Sequence, residues 1–551
     1  MLELLKKNVG IIFISLVVVI FFKNLLNSFY QQDEWHGLGD ILAYGQGSLK
    51  LNQNVFQILV GEGRIFANGL VYVFLGRFSF NIVPVAIFAI AFHLVNTALV
   101  YIISLRFLQN KITSLLVASF FAFSGVAHSA VTWVVSSTGT LPATTLILLS
   151  LLTFLKYLKT NKWTYLFLAF VLVYFSLFFK EIGIFLFIFY PFIFWFLKQT
   201  PILIVVKNFW LFLVFGAISG TYRVLSLGAV ATQKDLFLTE PTRDYASTLV
   251  LRSILYPLIS FSQNFVPHKY VFEAAKRIVW NYYEFFPNQI YDLLAQSAVL
   301  DTMSLLASGL ILFLLFVLFR ESNKDVKNNV LFWLGFCLLS ILPYVVVGKT
   351  GSYLESRYYY LSVISTAILL GYILEKVFQT YGLGIRFISL TFVLFLLSLN
   401  IRFLRDEITR QQFLAEERIK ILQQMIVLNE RIDVNEMIYI SGDRNFYITQ
   451  GNPLPMQQGT GYTILTWYYA KGLAPDQARS LIGNYYLWEM GGQGFRKVED
   501  FVYGYYWDLE KLREDVNSSG LNINNISGFY YDSNSQELTN ISEKIRNEIE
   551  E

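Results

Sequence analysis

The chain has very little sulfur and very little charge. One cysteine in 551 residues, Cys337, lies inside an apolar run, so an intramolecular disulfide and a cysteine-based zinc site are both excluded. Charged residues make up only 15% of the chain, the formal net charge is +4, and no basic tract would track a phosphate backbone, which argues against nucleic acid as a partner. No fixed-period repeat is evident. The first apolar segment, about residues 8–28, follows Lys6 and Lys7 but runs into Tyr30-Gln-Gln-Asp33 and not into a small-residue cleavage site. It reads as a retained anchor.

What the chain has in abundance is apolar and aromatic residues. Hydrophobic residues reach 55%, phenylalanine alone occurs 51 times, and the mean hydropathy is +0.49. This composition belongs to a polytopic α-helical membrane protein. With roughly 20 apolar residues needed per crossing, about eleven transmembrane helices are expected, near 8–28, 82–105, 112–126, 140–158, 163–179, 182–198, 208–230, 297–319, 329–347, 358–376 and 384–403.

Loop charge then sets an expected orientation. Lys6/Lys7, Arg106/Lys111, Lys156/Lys159/Lys162, Lys198/Lys207, Arg320/Lys324/Lys327 and Lys376/Arg386 fall on one set of connections, assigned to the cytoplasm together with the N-terminus. The other set is poorer in Lys and Arg and holds Asp33/Glu34, Arg64, His128, Lys180/Glu181 and Arg357. An odd number of spans places the C-terminal part on that outer side, at the cell membrane. Residues 1–403 are therefore expected as a transmembrane module with outer loops 29–80 and 231–296, both carrying short surface helices such as one around Glu273–Trp280. Residues 404–551 are expected as a small extracytoplasmic α/β domain. Within it, 401–430 continues the last span as a helix, Met437–Ile440 forms a strand, and the segment from Gly528 forms a hairpin. Asn517, Asn525 and Asn540 each begin an N-x-Ser triplet, which carries little weight in an Asn-rich tail.

Several polar groups stand out against this background. Asp33 and Glu34 are either solvated loop acids or a general base beside Trp35 and Tyr30, where partial desolvation raises a carboxylate pKa toward a useful value. His36 adds a third polar group. Three adjacent residues rarely face one ion, so a divalent metal stays possible and no metal ligand is assigned. Arg64 is either an interfacial snorkelling residue or a cation for phosphate. His93 and Asn96 share a helix face inside a span, where polar side chains more often bond a neighbouring helix than a ligand. Lys180 and Glu181 form a charge pair at membrane depth, a functional hypothesis by default, with self-neutralisation as the alternative. Glu355, Arg357 and Tyr358 open the tenth span within an aromatic belt, where the arginine could also reach a lipid phosphate.

In this order the motifs resemble the GT-C superfamily of integral membrane glycosyltransferases, most closely the branch with protein O-mannosyltransferases and tetratricopeptide-bearing transmembrane mannosyltransferases. The likeness rests on Asp33-Glu34 in the first outer loop, Arg64 before the second span, and His93-Leu-Val-Asn96 within it. It continues through the stretch from His128 to Gly139, Phe179-Lys-Glu-Ile-Gly183, Leu342-Pro343 and Glu355-Ser-Arg-Tyr358, and so covers roughly residues 1–375. Ile65 stands where a proline is usual, Ser356 interrupts the Glu-Arg-Tyr pattern, and the tail has no tetratricopeptide repeats. The resemblance implies inverting transfer of a sugar from a polyprenyl-phosphate carrier to an acceptor hydroxyl on a protein or glycan. Asp33 would act as general base and Glu34 as its companion. Arg357, Lys180 and Arg64 would hold the departing lipid phosphate, and His36, His128, Glu181, Glu355 and Tyr358 would contact the acceptor or support these groups. The alternative from another class is a transporter or lipid flippase, although no paired halves with broken spans are visible.

Overall fold

The structure, a computed structural model, describes residues 2–45, 60, 63–108, 110–231, 245–280, 289–345, 354–446, 453–456, 459–489, 491–519 and 521–551. Parts of the two long connections expected at 29–80 and 231–296 and the end of the span expected at 329–347 lie outside the described residues.

Among the described residues, nine helices are long and apolar enough to cross a membrane: Val9–Asn27, Val83–Leu108, Val135–Thr160, Glu181–Lys198, Ile202–Arg223, Ala298–Phe319, Lys324–Tyr344, Ser362–Thr380 and Leu383–Leu428. Their large apolar side chains are often exposed, as at Phe13, Leu203, Leu306, Phe316, Phe387 and Ile388. Such surfaces suit lipid and not water, and with the nine long apolar helices they are consistent with a multi-pass helical membrane protein. The spans expected at 112–126 and 163–179 are the shorter helices Lys111–Ala122 and Trp163–Leu177. At ~1.5 Å per residue these reach about 18 and 22 Å, against a hydrocarbon thickness of ~30 Å. Asn110 explains the sharp start of the first, since its side chain accepts from the N–H groups of Ile112 and Thr113.

The described residues fall into two compact units. The first draws on Met1–Lys23, Gln53–Asn68 and Ile87–Glu407, the second on Asn24–Asn52, Gly69–Ala86 and Ile408–Glu551.

Buried polar side chains cross-link the apolar helices of the first unit. His93 Nδ1 lies 2.8 Å from Tyr360 Oη and its Nε2 lies 3.0 Å from the Ala122 carbonyl oxygen. A carbonyl only accepts, so Nε2 carries the proton and Nδ1 accepts from the tyrosine. Asn96 donates to the Leu141 carbonyl at 3.1 Å and accepts from Thr145 Oγ1 at 2.7 Å. The i, i+3 pair thus fastens one helix to its neighbours, the use polar residues most often have in a membrane interior. Cys337 is buried as well.

The second unit holds a five-stranded sheet in the order β2-β3-β1-β4-β5, with β1 at Asn435–Gly442, β2 at Gly494–Val498, β3 at Phe501–Tyr506, β4 at Ile526–Asp532 and β5 at Glu537–Asn540. Central β1 runs parallel to both β3 and β4, while β2–β3 and β4–β5 are antiparallel hairpins. A strand covered on both faces needs apolar residues at successive positions, which Met437-Ile-Tyr-Ile440 supplies. One face packs on helices Leu509–Ser519 and Ser542–Glu550, whose Leu512/Val516 and Ile545/Ile549 pairs repeat at i, i+4 and meet Met437, Tyr439 and Ile526. Asn540 has a local task, because its side-chain oxygen accepts from both the N–H and the hydroxyl of Ser542 at the start of the last helix. The 46-residue helix Leu383–Leu428 continues past its apolar half into the second unit, where Ala415, Ile421, Leu422 and Met425 are buried at helical spacing.

Glu436, at the start of β1, is 5% exposed and accepts from Asn429 Nδ2 at 3.0 Å. Burial pushes its carboxyl up to about 7. A raised folded-state pKa contributes stability that is complete below the unfolded value near 4.5 and is lost as the pH rises through 7. The sheet should therefore lose roughly 2 kcal/mol between pH 5.5 and pH 8, and Glu436→Gln should remove most of that dependence. Hydrogen exchange at the Met437–Ile440 amides, corrected for intrinsic rates, measures it. Equal protection at both pH values would show that Glu436 stays ionised in the folded sheet.

Candidate functional site

The first unit gathers charged groups from four distant segments. Gly63 and Arg64 both take positive φ, 84° and 46°, immediately before helix Ile65–Arg77. The Phe66 N–H donates to the Phe178 carbonyl at 3.0 Å, which ties this turn to the segment carrying Lys180 and Glu181. Arg64 forms a two-pronged ion pair with Glu181, its Nε donating to Oε2 at 2.9 Å and Nη2 to Oε1. The adjacent carboxylate holds the Arg64 guanidinium above its ordinary pKa.

Lys180 is 4% exposed, and its Nζ donates to Thr140 Oγ1 at 2.7 Å. Gly139, one residue earlier, permits the close approach, since a Cβ there would stand 2.9 Å from the Phe179 carbonyl oxygen. Burial, then the nearby Arg64 and Arg357, hold the Lys180 amine well below its ordinary pKa. An anion placed beside it would reverse that shift and favour the ammonium form.

Arg357 sits in a single helical turn, Ser356–Tyr359. It pairs with Glu355 at 2.6 Å, and its guanidinium carbon lies 4.3 Å from the centre of the Trp133 ring and 5.2 Å from that of Tyr358. Tyr358 stacks on Tyr344 with ring centres 4.2 Å apart, and Lys180 Nζ lies 5.4 Å from the Tyr358 ring centre. Ser129 N–H donates to Ser356 Oγ at 3.1 Å, fixing the turn against the segment that leads to Trp133. Three cations and two carboxylates thus converge among aromatic rings, with Arg223 acting electrostatically on Glu181 as well. His128 is buried at the start of the segment that leads to Trp133, 3.2 Å from Thr132 Oγ1 and beside the rings of His268 and Phe403.

The second unit holds Asp33, Glu34 and His36 on helix Asp33–Tyr44, which packs against helices Thr460–Ala470 and Ala478–Gly483. Glu34 is 1% exposed, and its Oε2 accepts from the N–H groups of Gln31 and Gln32 at 3.3 and 3.1 Å. It therefore ties the two residues before the helix back to its first turn, and burial pushes its carboxyl upward while these donors pull it down. Trp35 and Tyr30 are buried in an aromatic cluster with Phe29, Phe80 and Trp467. Asp33, in the same first turn, is half-buried.

His36 stacks on Tyr485 with ring centres 4.3 Å apart, and its Nδ1 lies 3.9 Å from Asp40 Oδ2. Asp40 also accepts from the Tyr485 hydroxyl and, at 3.4 Å, from Tyr72 Oη. Gly39 lets the helix dock: a Cβ there would fall 1.8 Å from Tyr462 Oη. Among the described residues no group of three or more His, Cys, Asp or Glu side chains could hold a metal ion.

Sequence reasoning did not single out Trp133, Tyr344, Asp40 or Tyr485. Asp40 carried a usable signal, standing four residues after His36 and seven after Asp33 on one helical face. Trp133 lies within the stretch from His128 to Gly139. The chain was compared with protein-family models and with curated proteins, and neither comparison finds a match.

Proposed function

We propose that the chain is an integral membrane glycosyltransferase of GT-C type, transferring a sugar with inversion from a polyprenyl-phosphate carrier to an acceptor hydroxyl on the outer face of the cell membrane. The observation that carries this reading is the convergence of Arg64, Lys180 and Arg357 with Trp133, Tyr344 and Tyr358 in an apolar helical unit. Guanidinium groups bind phosphate oxygens bidentately. Preorganised cations in a water-poor setting stabilise the charge that develops on a leaving phosphate.

On this reading Arg357 and Lys180 receive the donor phosphate. Arg64, engaged by Glu181, supports them, and the aromatic rings line the path of the sugar or lipid. Glu355 and Glu181 hold the arginines in place, and Tyr358 forms one wall. Asp33 takes the acceptor proton. Glu34, bonded to the Gln31 and Gln32 N–H groups, positions the Asp33 turn, and His36 acts with Asp40 in holding the same helix. His128 supports the segment that bears Trp133. The acceptor is a protein or glycan, the N-terminus is cytoplasmic, and the C-terminal domain is extracytoplasmic.

The test uses the full chain in proteoliposomes with radiolabelled polyprenyl-phosphate hexoses and a mixed protein and glycan acceptor pool. Label passing into a water-soluble or covalently glycosylated product supports the reading. Movement of the labelled lipid between leaflets with no covalent product would replace it with the transporter or flippase reading.

A further inference from the structure

The second unit carries a cleft that no part of the proposed chemistry uses. It has a volume of about 660 Å³ and is lined by Tyr44, Asp476, Gln477, Arg479, Asn484 and Glu499, with a few small neighbours. Ligand sites run to about 300–1,000 Å³, so the size suits a bound molecule and exceeds a packing defect.

The wall is fixed from several directions. Arg479 Nε donates to the Ala43 carbonyl at 2.6 Å, and Tyr44 Oη donates to the Gly483 carbonyl at 2.6 Å. These two bonds hold the Tyr44 ring against the rim while leaving it exposed. Asn484 is anchored by a bond from its Nδ2 to the Ser480 carbonyl at 2.9 Å. Glu499 takes a φ of 56° in the two-residue turn between β2 and β3, a conformation that disfavours a side chain. Strain of this kind persists where surrounding structure imposes it, and here it sets a carboxylate at the cleft edge.

The chemistry of the lining selects among ligands. Two carboxylates, two carboxamides and a guanidinium are planar groups with paired donors or acceptors, suited to neighbouring hydroxyls. An exposed tyrosine face suits the C–H face of a sugar ring. Two carboxylates against one guanidinium give a net negative wall, which disfavours an acidic polymer or a phosphate. Deep apolar pockets for peptide side chains are not part of this lining.

We infer that this cleft binds an uncharged oligosaccharide and, resting on the transferase reading, that it is the distal subsite for a glycan acceptor. The cleft lies at the C-terminal end of the helix whose first residue is Asp33. Eleven steps of ~1.5 Å separate Asp33 from Tyr44 by about 16 Å, so a saccharide seated here presents a hydroxyl several rings away toward the helix start. Binding remote from the reacting centre would then contribute to orientation at the site of transfer.

The experiment reads binding without any donor, so it fails or succeeds separately from the transferase reading. Saturation-transfer NMR is recorded on the full chain in nanodiscs with cellohexaose, maltohexaose, chitohexaose, mannohexaose, xylohexaose and a Ser/Thr-rich peptide. At least one hexasaccharide should receive saturation, and its affinity should fall at least ten-fold in both Gln477→Ala and Glu499→Ala. Unchanged protection of the sheet amides in these variants shows that the fold is retained. Absence of transfer to every hexasaccharide, equal binding by both variants, or peptide binding in place of saccharide binding would overturn the inference.

Discussion

Asp33→Asn should lower sugar transfer from a polyprenyl-phosphate donor by about 100- to 10,000-fold, the usual contribution of a positioned general base. Asparagine keeps the shape of the side chain and its preference for a helix start, so the variant should fold as the parent does. Glu34→Gln makes the informative comparison. Its carboxylate accepts from the N–H groups of Gln31 and Gln32, so amide substitution weakens a structural contact and leaves the base in place. Hydrogen bonds of this kind contribute roughly 1 kcal/mol. The expected pattern is a large loss of turnover with normal helix protection for Asp33→Asn, and a small loss of turnover with faster exchange across Asp33–Tyr44 for Glu34→Gln. Single-turnover kinetics together with hydrogen exchange separates the two. Full activity in Asp33→Asn would remove Asp33 from the base role, and equal losses in both variants would show that helix placement dominates.

The distinction between the two acids was not legible in the sequence, where they are adjacent and chemically alike. It arises because one side chain turns back on the residues that precede its own helix and is removed from water. Local pattern did reveal the long apolar helices, the extension of the last one to Leu428, strand β1 and the β4–β5 hairpin. Each depends on neighbours within a few residues. The β2–β3 hairpin escaped notice because Phe501-Val-Tyr-Gly-Tyr-Tyr506 is buried at every position and shows no alternation. Asp40 escaped because a principal partner, Tyr485, stands 445 residues away. The convergence of Arg64, Lys180 and Arg357 is equally non-local. Loop charge suggested a common side of the membrane for them, while only the turns at Gly63–Arg64 and Ser356–Tyr359 and the close approach at Gly139 show how their side chains come together.

Arg357→Ala should reduce turnover by about 100- to 1,000-fold, the scale on which loss of one preorganised charge donor acts. Two features make Arg357 the most telling of the three cations. Arg64 is already engaged in a two-pronged pair with Glu181, and burial holds the Lys180 amine well below its ordinary pKa. Arg357 combines a pair to Glu355 with a cation–π contact to Trp133, so its guanidinium is held in place before the donor binds. Lysine at this position keeps the charge and loses the guanidinium fork, so Arg357→Lys should recover only a small part of the loss. If Arg357 acts on the leaving phosphate, the deficit appears mainly in turnover, and a donor with a better leaving group narrows the gap to wild type. If its role is only to brace Glu355 and Trp133, Arg357→Lys and Arg357→Ala lose activity alike and the deficit does not depend on the leaving group. Steady-state rates for both variants with two polyprenyl-phosphate donors of different leaving-group acidity decide between these outcomes.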